Sequence, residues 1–137
     1  MEIGKPWDER SLESLPPLEL LEVWFQAFSW SPDGRRLAGS RLSAAGYGGI
    51  SVYSLDSRQY QHFTDFGFIP RWLSDGRRLI FGHGSAIYLL DTRSRKVREV
   101  LSVAPNEVWG VAPTRDDRRI YFGLGTTEAD VWLMSRE

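Results

Sequence analysis

His62 and His83 are the two histidines of a 137-residue chain that has no cysteine. Imidazole is the side chain best suited to ligating a metal or moving a proton near neutral pH. A metal site needs several ligands converging at close spacing. Neither histidine has a second histidine or a carboxylate at ligand spacing, so no metal site is expected. The missing cysteine excludes thiolate zinc sites, disulfides and cysteine nucleophiles. Ser-His-Asp catalysis would need an exposed nucleophile on a sharp turn, and no G-x-S-x-G occurs. "GYGG" at Gly46–Gly49 lacks the lysine and following helix of a phosphate loop. His62 falls on an outer strand and reads as solvated, while His83 sits in a loop among glycines. No catalytic residue, cofactor or metal is expected, and the chain reads as non-enzymatic.

The arginine pairs Arg35–Arg36, Arg77–Arg78 and Arg118–Arg119 are the other chemical candidate, a comb for phosphate or an acidic peptide. Neighbouring strand residues point to opposite faces, so each pair splits. Their recurrence follows a repeated turn, and they are expected to face water. A net charge of -1 gives no long-range pull on nucleic acid, and no nucleic-acid partner is expected. The N-terminus has no basic start followed by an apolar run, so no signal peptide is read in this chain. The apolar runs fall far short of the roughly 18 residues of a membrane helix, so no membrane insertion is expected.

The elements that carry these residues come from a repeat. Asp33, Asp75 and Asp116 stand 42 and 41 residues apart, a period typical of propeller blades. Each aspartate sits in the same frame: a short apolar stretch, a turn, two arginines, then an apolar run ending in glycine. In "SPDG", Ser31 can bond the backbone, Pro32 presets φ and Gly34 accepts positive φ. This predicts a tight hairpin closed by a bulge at the glycine. "LSDG" keeps Gly76, and "TRDD" puts Asp117 in its place with some strain. A second strand follows each turn, then a loop, then a third strand, with Val52, Ile87 and Val131 aligned. "RQYQHFT" and "KVREVLS" alternate as fourth strands.

One unit is thus four antiparallel strands, and the fold class is all-β, with about three propeller blades. Blade 1 spans 22–64 and blade 2 spans 65–102. Blade 3 spans 103–137 and lacks its own fourth strand. Residues 1–21 read as an outer strand of a neighbouring or final blade, with a short helix over Leu18–Trp24 as the alternative.

"FSWSPDGRRLAGS" with "ISVYSLD", "PRWLSDGRRLIFG" with "IYLLD", and "VWGVAPTRDDRRIYFG" with "ADVWLM" resemble the TolB-type, WD-like propeller repeats of bacteria. The match covers about 110 residues. No strand ends in Trp-Asp and no aligned Gly-His leads the blades, unlike true WD repeats. The resemblance implies a protein- or peptide-binding module, as a piece of a larger propeller protein. It also implies an alternative, the sensor or gating propeller of an enzyme such as a receptor-type kinase or a prolyl-oligopeptidase-like peptidase. A location outside the cytoplasm follows if the chain belongs to such a protein.

Closed propellers have four to eight blades, so three leave two bare faces. A face of roughly 400 Å² left in water forfeits about 10 kcal/mol. Either the chain is a fragment, or two copies form a homodimer that completes a six-bladed ring. Loops between second and third strands, and links between blades, shape one rim. Tyr47, Phe66, Phe68, His83 and Trp109 are the candidate partner-binding residues there.

Overall fold

The computed structural model describes residues 14–18, 20, 22–125 and 131–135. Its strands are β1 (Trp24–Trp30), β2 (Arg36–Ser43), β3 (Gly46–Ser54), β4 (Gln59–His62), β5 (Phe68–Trp72), β6 (Arg78–His83), β7 (Ala86–Asp91), β8 (Val97–Ser102), β9 (Glu107–Pro113), β10 (Arg119–Gly125) and β11 (Val131–Ser135). They form three antiparallel sheets in the orders β1-β2-β3-β4, β5-β6-β7-β8 and β9-β10-β11. No helix occurs among the described residues, which include most of Leu18–Trp24. Residues 1–13, on which the expected N-terminal outer strand chiefly falls, lie outside the described residues.

Each sheet opens with the same turn. Gly34 N donates to Ser31 O, Gly76 N to Leu73 O, and Asp117 N to Thr114 O. The outer pair closes as Ser31 N to Arg36 O, Leu73 N to Arg78 O and Thr114 N to Arg119 O. Gly34, Gly76 and Asp117 have φ of 71°, 63° and 58°, so the expected positive-φ bulge holds in all three, aspartate included. Side chains lock the turn: Asp33 Oδ1 accepts from Ser31 Oγ and Arg35 N, and Asp116 Oδ1 from Thr114 Oγ1 and Arg118 N. These bonds hold both carboxyls below the usual carboxylate range, with the hydroxyl the larger cause.

The core lies between the sheets. Ala38, Ile50 and Val52 of the first sheet meet Trp72, Leu79, Phe81 and Leu90 of the second. Ile80 and Ile87 on the other side of the second sheet meet Val108, Val111, Ile120, Phe122 and Leu124 of the third. Leu79, Ile80 and Phe81 thus alternate between two interfaces, which is why "LIF" is an unbroken apolar run. β5 lies against β1, β2 and β3, and β9 against β5, β6 and β7. This is face-to-face blade packing.

Two expectations need correction. Ser40 pairs with Ile50, Gly82 with Ile87 and Gly123 with Val131. Ile50, not Val52, is therefore the counterpart of Ile87, because β3 ends two residues before Asp56 whereas β7 ends on Asp91. The arginines do not all face water. The Arg36 guanidinium lies 4.5 Å over the Trp72 ring and donates to Gly76 O, binding the first turn to the second. Arg77 pairs with Asp91 at 2.7 Å.

Candidate partner-binding rim

The hairpin joining β2 to β3 carries Tyr47. Its fold is fixed by Gly49, whose φ is 108° and whose absent side chain leaves room for Thr64 O. A Cβ there would stand 1.8 Å from that oxygen. The hairpin therefore rests on the β4–β5 link, and Ile50 N donates to Thr64 Oγ1 at 3.0 Å. Thr64 Oγ1 in turn donates to Phe66 O at 2.6 Å. Gly67, with φ of 97°, lets the link pass over the Phe81 ring, 2.3 Å from where a Cβ would be.

This packing gathers four of the five expected rim residues into two pairs. Tyr47 stacks on Phe68 at 5.7 Å with 19° between the rings, and Phe28 tilts against Tyr47 at 6.4 Å. Tyr47 Oη donates to Gln26 Oε1 at 3.2 Å. Phe66 meets His83 edge-on at 5.2 Å and packs on Phe81 and Tyr88. Trp109 joins neither pair. β9 is bulged there, since Gly123 pairs with Gly110 and Leu124 with Val108. The ring swings over Gly125 and Gly123, on the side of the third sheet that faces away from the second.

Trp24 was not among the expected rim residues. Register places it beside Leu42 and, through Leu42, beside Tyr47. Trp24 is 61% and Tyr47 44% exposed. The sequence carried no signal for it beyond its position before the first strand. The resulting surface is an aromatic strip in which Trp24 and Tyr47 are exposed and Phe68 is half-buried beneath Tyr47, with the Gln26 amide beside it. It offers apolar area and hydrogen bonding but no charged nucleophile or base.

A second group was also missed. Arg41 Nε donates to Ser51 Oγ at 3.2 Å, Ser51 Oγ donates to His62 Nδ1 at 2.9 Å, and His62 Nε2 donates to Asp65 Oδ1 at 2.9 Å. The tautomer is assigned from these partners. His62 is therefore hydrogen-bonded on both nitrogens rather than solvated, and Asp65 is a carboxylate at i+3. The residue types are those of a hydrolase triad. The geometry does not serve that chemistry, because the Ser51 side chain is fully buried in a central strand. The array ties β2, β3 and β4 to the link that begins at Phe63. Burial holds the Arg41 guanidinium below its ordinary value, with Asp65 opposing. No group of three metal-ligating side chains occurs among the described residues.

Compared with known proteins, the sequence matches no family model and no curated protein. Solved structures do match. A TolB-type protein from Agrobacterium tumefaciens superposes with a TM-score of 0.70 at 18% identity, covering 81% of this chain and 45% of its own. TolB from Acinetobacter baumannii gives 0.65 at 24% identity, covering 78% and 29%. The β-propeller domain of the Trilobed protease from Pyrococcus furiosus gives 0.57 at 18% identity, covering 83% and 40%. The chain spans less than half the length of each. Its fold is that of a portion of a TolB-like β-propeller.

Proposed function

We propose that the chain is a non-catalytic docking module that binds protein or peptide through the aromatic strip of Trp24, Tyr47 and Phe68. The observation that carries this reading is the stacked Tyr47–Phe68 pair, in which a glycine-fixed hairpin presents Tyr47 to solvent over the half-buried Phe68. Exposed aromatic rings on a rigid support supply large contact area at low entropic cost. The exposed Gln26 side chain beside Tyr47 adds directional hydrogen bonding. The only protein functions that this surface needs are apolar contact and backbone recognition, which suit an extended peptide or a flat protein epitope.

A random peptide library panned on the full chain tests the reading. Selected peptides should bind with affinity reduced at least about tenfold by Tyr47→Ala. Failure of any peptide to bind the wild-type chain better than the Tyr47→Ala chain would refute it. A second reading has its own support in the likeness to a protease's propeller domain. In it the strip docks on the catalytic part of a larger enzyme, which would locate the same residues at an intramolecular interface.

A further inference from the structure

Trp30 and Trp72 hold the same place in successive sheets, paired with Leu37 and Leu79 just before the turn. Yet Trp72 is 7% exposed and Trp30 is 52% exposed. The difference is the neighbour. Trp72 Nε1 donates to Ser29 O at 3.0 Å, its amide to Ser29 Oγ at 3.2 Å, and Arg36 caps its ring. Trp30 lies on the opposite side of the first sheet, where the described residues supply no further sheet.

Register identifies the counterparts of Ser29 and Arg36 on the third sheet. Ala112 pairs with Tyr121 as Ser29 pairs with Ala38. Arg119 opens β10 as Arg36 opens β2. Ala112, Arg119 and Tyr121 are exposed, on the free side of the third sheet that also carries Trp109. The two free faces therefore hold the two halves of a contact that the molecule already makes once, between its first and second sheets.

We propose that a second copy of this chain seats the free face of its third sheet on the free face of the first, with Arg119 stacked on Trp30 and Ala112 O accepting the Trp30 indole N–H. Alanine lacks the Ser29 hydroxyl, so this contact has one hydrogen bond fewer than its internal counterpart. The contact is head to tail, and made at both ends it closes a two-copy ring.

An independent feature agrees. The third sheet has three strands among the described residues where the others have four. Beside it lies a cavity of about 330 Å³ lined by Leu73, Ile80, Leu89, Val100 and Ile120. Residues 14–18 cross the free face of the first sheet, where Tyr60 Oη donates to Pro16 O at 2.5 Å. In the docked pair that segment of one copy comes to the outer side of the other's third sheet, placed to pair with β11.

Sedimentation equilibrium on the full chain at micromolar concentration should give the mass of two chains. Trp30→Ala and Arg119→Glu should each raise the dissociation constant at least about tenfold. Both sites are exposed, and an unchanged circular dichroism spectrum verifies folding. The chain has no cysteine, so single substitutions report the geometry. Trp30→Cys and Arg119→Cys chains should join through a short thiol cross-linker when mixed, and neither should join to itself. A single-chain mass, an assembly indifferent to both substitutions, or self-joining of the Arg119→Cys chain would overturn the contact.

Discussion

Replacing Gly49 with alanine drives a methyl group into backbone that has nowhere to go. The new Cβ would meet Thr64 O at 1.8 Å, Thr64 C at 2.6 Å and Asp65 Cα at 2.9 Å. Its φ of 108° is itself a conformation that side chains disfavour by about 1–3 kcal/mol. Relief requires the 63–66 link to move, and the bonds that this movement strains most are Phe63 N to Ile50 O, Ile50 N to Thr64 Oγ1, and Thr64 Oγ1 to Phe66 O, with a longer Thr64 N to Ile50 O beside them. At about 1 kcal/mol each, their loss adds up to about 3 kcal/mol. The expected cost is about 3–5 kcal/mol, a large part of the 5–15 kcal/mol typical of a domain. Urea titration at one fixed chain concentration should show the midpoint falling by about 2 M, for a slope of about 2 kcal/mol/M. Gly48→Ala is the control, because its nearest neighbours are Arg41 Cβ at 3.8 Å and Arg41 O at 3.9 Å. It should stay within about 0.5 kcal/mol of wild type. A Gly49→Ala midpoint unchanged from wild type, or a Gly48→Ala shift of equal size, would refute the reasoning.

Other perturbations probe the rest of the frame. Arg77 holds the Asp91 carboxyl down at about 2, so its contribution is fully present above the unfolded value near 4 and disappears as pH falls through about 2. Asp91→Asn should flatten the acid limb of a stability-versus-pH curve in that window. Ser51→Ala strands the His62 Nδ1 acceptor and the Arg41 donor, at about 1–2 kcal/mol by thermal or chemical unfolding, while peptide binding at Tyr47 is unchanged. Asp117→Gly relieves a φ of 58° but removes the carboxylate that accepts from Ser74 N and Ser74 Oγ. A net loss of about 1 kcal/mol is expected, with Asp117→Asn intermediate, and a stabilised glycine variant would show that the strain outweighs the bonds.

The turns were legible in the sequence because the bonds that close each one lie within six residues, although Arg36 to Gly76 O and Ser74 to Asp117 tie neighbouring turns together across sheets. Ser31 and Thr114 hydroxyls bond Asp33 and Asp116 within their own turns, whereas Asp75, with Leu73 in the hydroxyl's place, accepts from Arg77 N, Arg78 N and Arg78 Nε. The three-sheet architecture followed from their spacing. Contacts between sheets were less accessible. Arg36 on Trp72 joins residues whose backbones meet only when two sheets pack, and a long side chain has several reachable partners. The Ser51–His62 bond depends on the β3–β4 register, which no local pattern fixes, and the alignment of Val52 with Ile87 had already set β3 two residues out of step with β7. Tyr47 with Phe68 and Phe66 with His83 came together because hairpin and link tips share one end of the blades. Trp109 departed from them through a one-residue bulge that no local pattern announced.

Each first strand in fact carries such a bulge, between Ala27 and Ser29, between Phe68 and Arg71, and at Trp109. A bulge takes one residue out of its own ladder and leaves its backbone groups without a partner there. In two cases the freed groups are used by the adjoining sheet: Phe28 O accepts from Arg71 Nη1 at 2.9 Å, and Ile69 N donates to Ser40 Oγ at 3.2 Å. A blade of this kind thus carries its own connectors in its main chain. Each connector joins a bulge's main chain to one side chain of the adjoining blade, so the side chain at the bulge itself takes no part in that bond and can vary while the seam is kept.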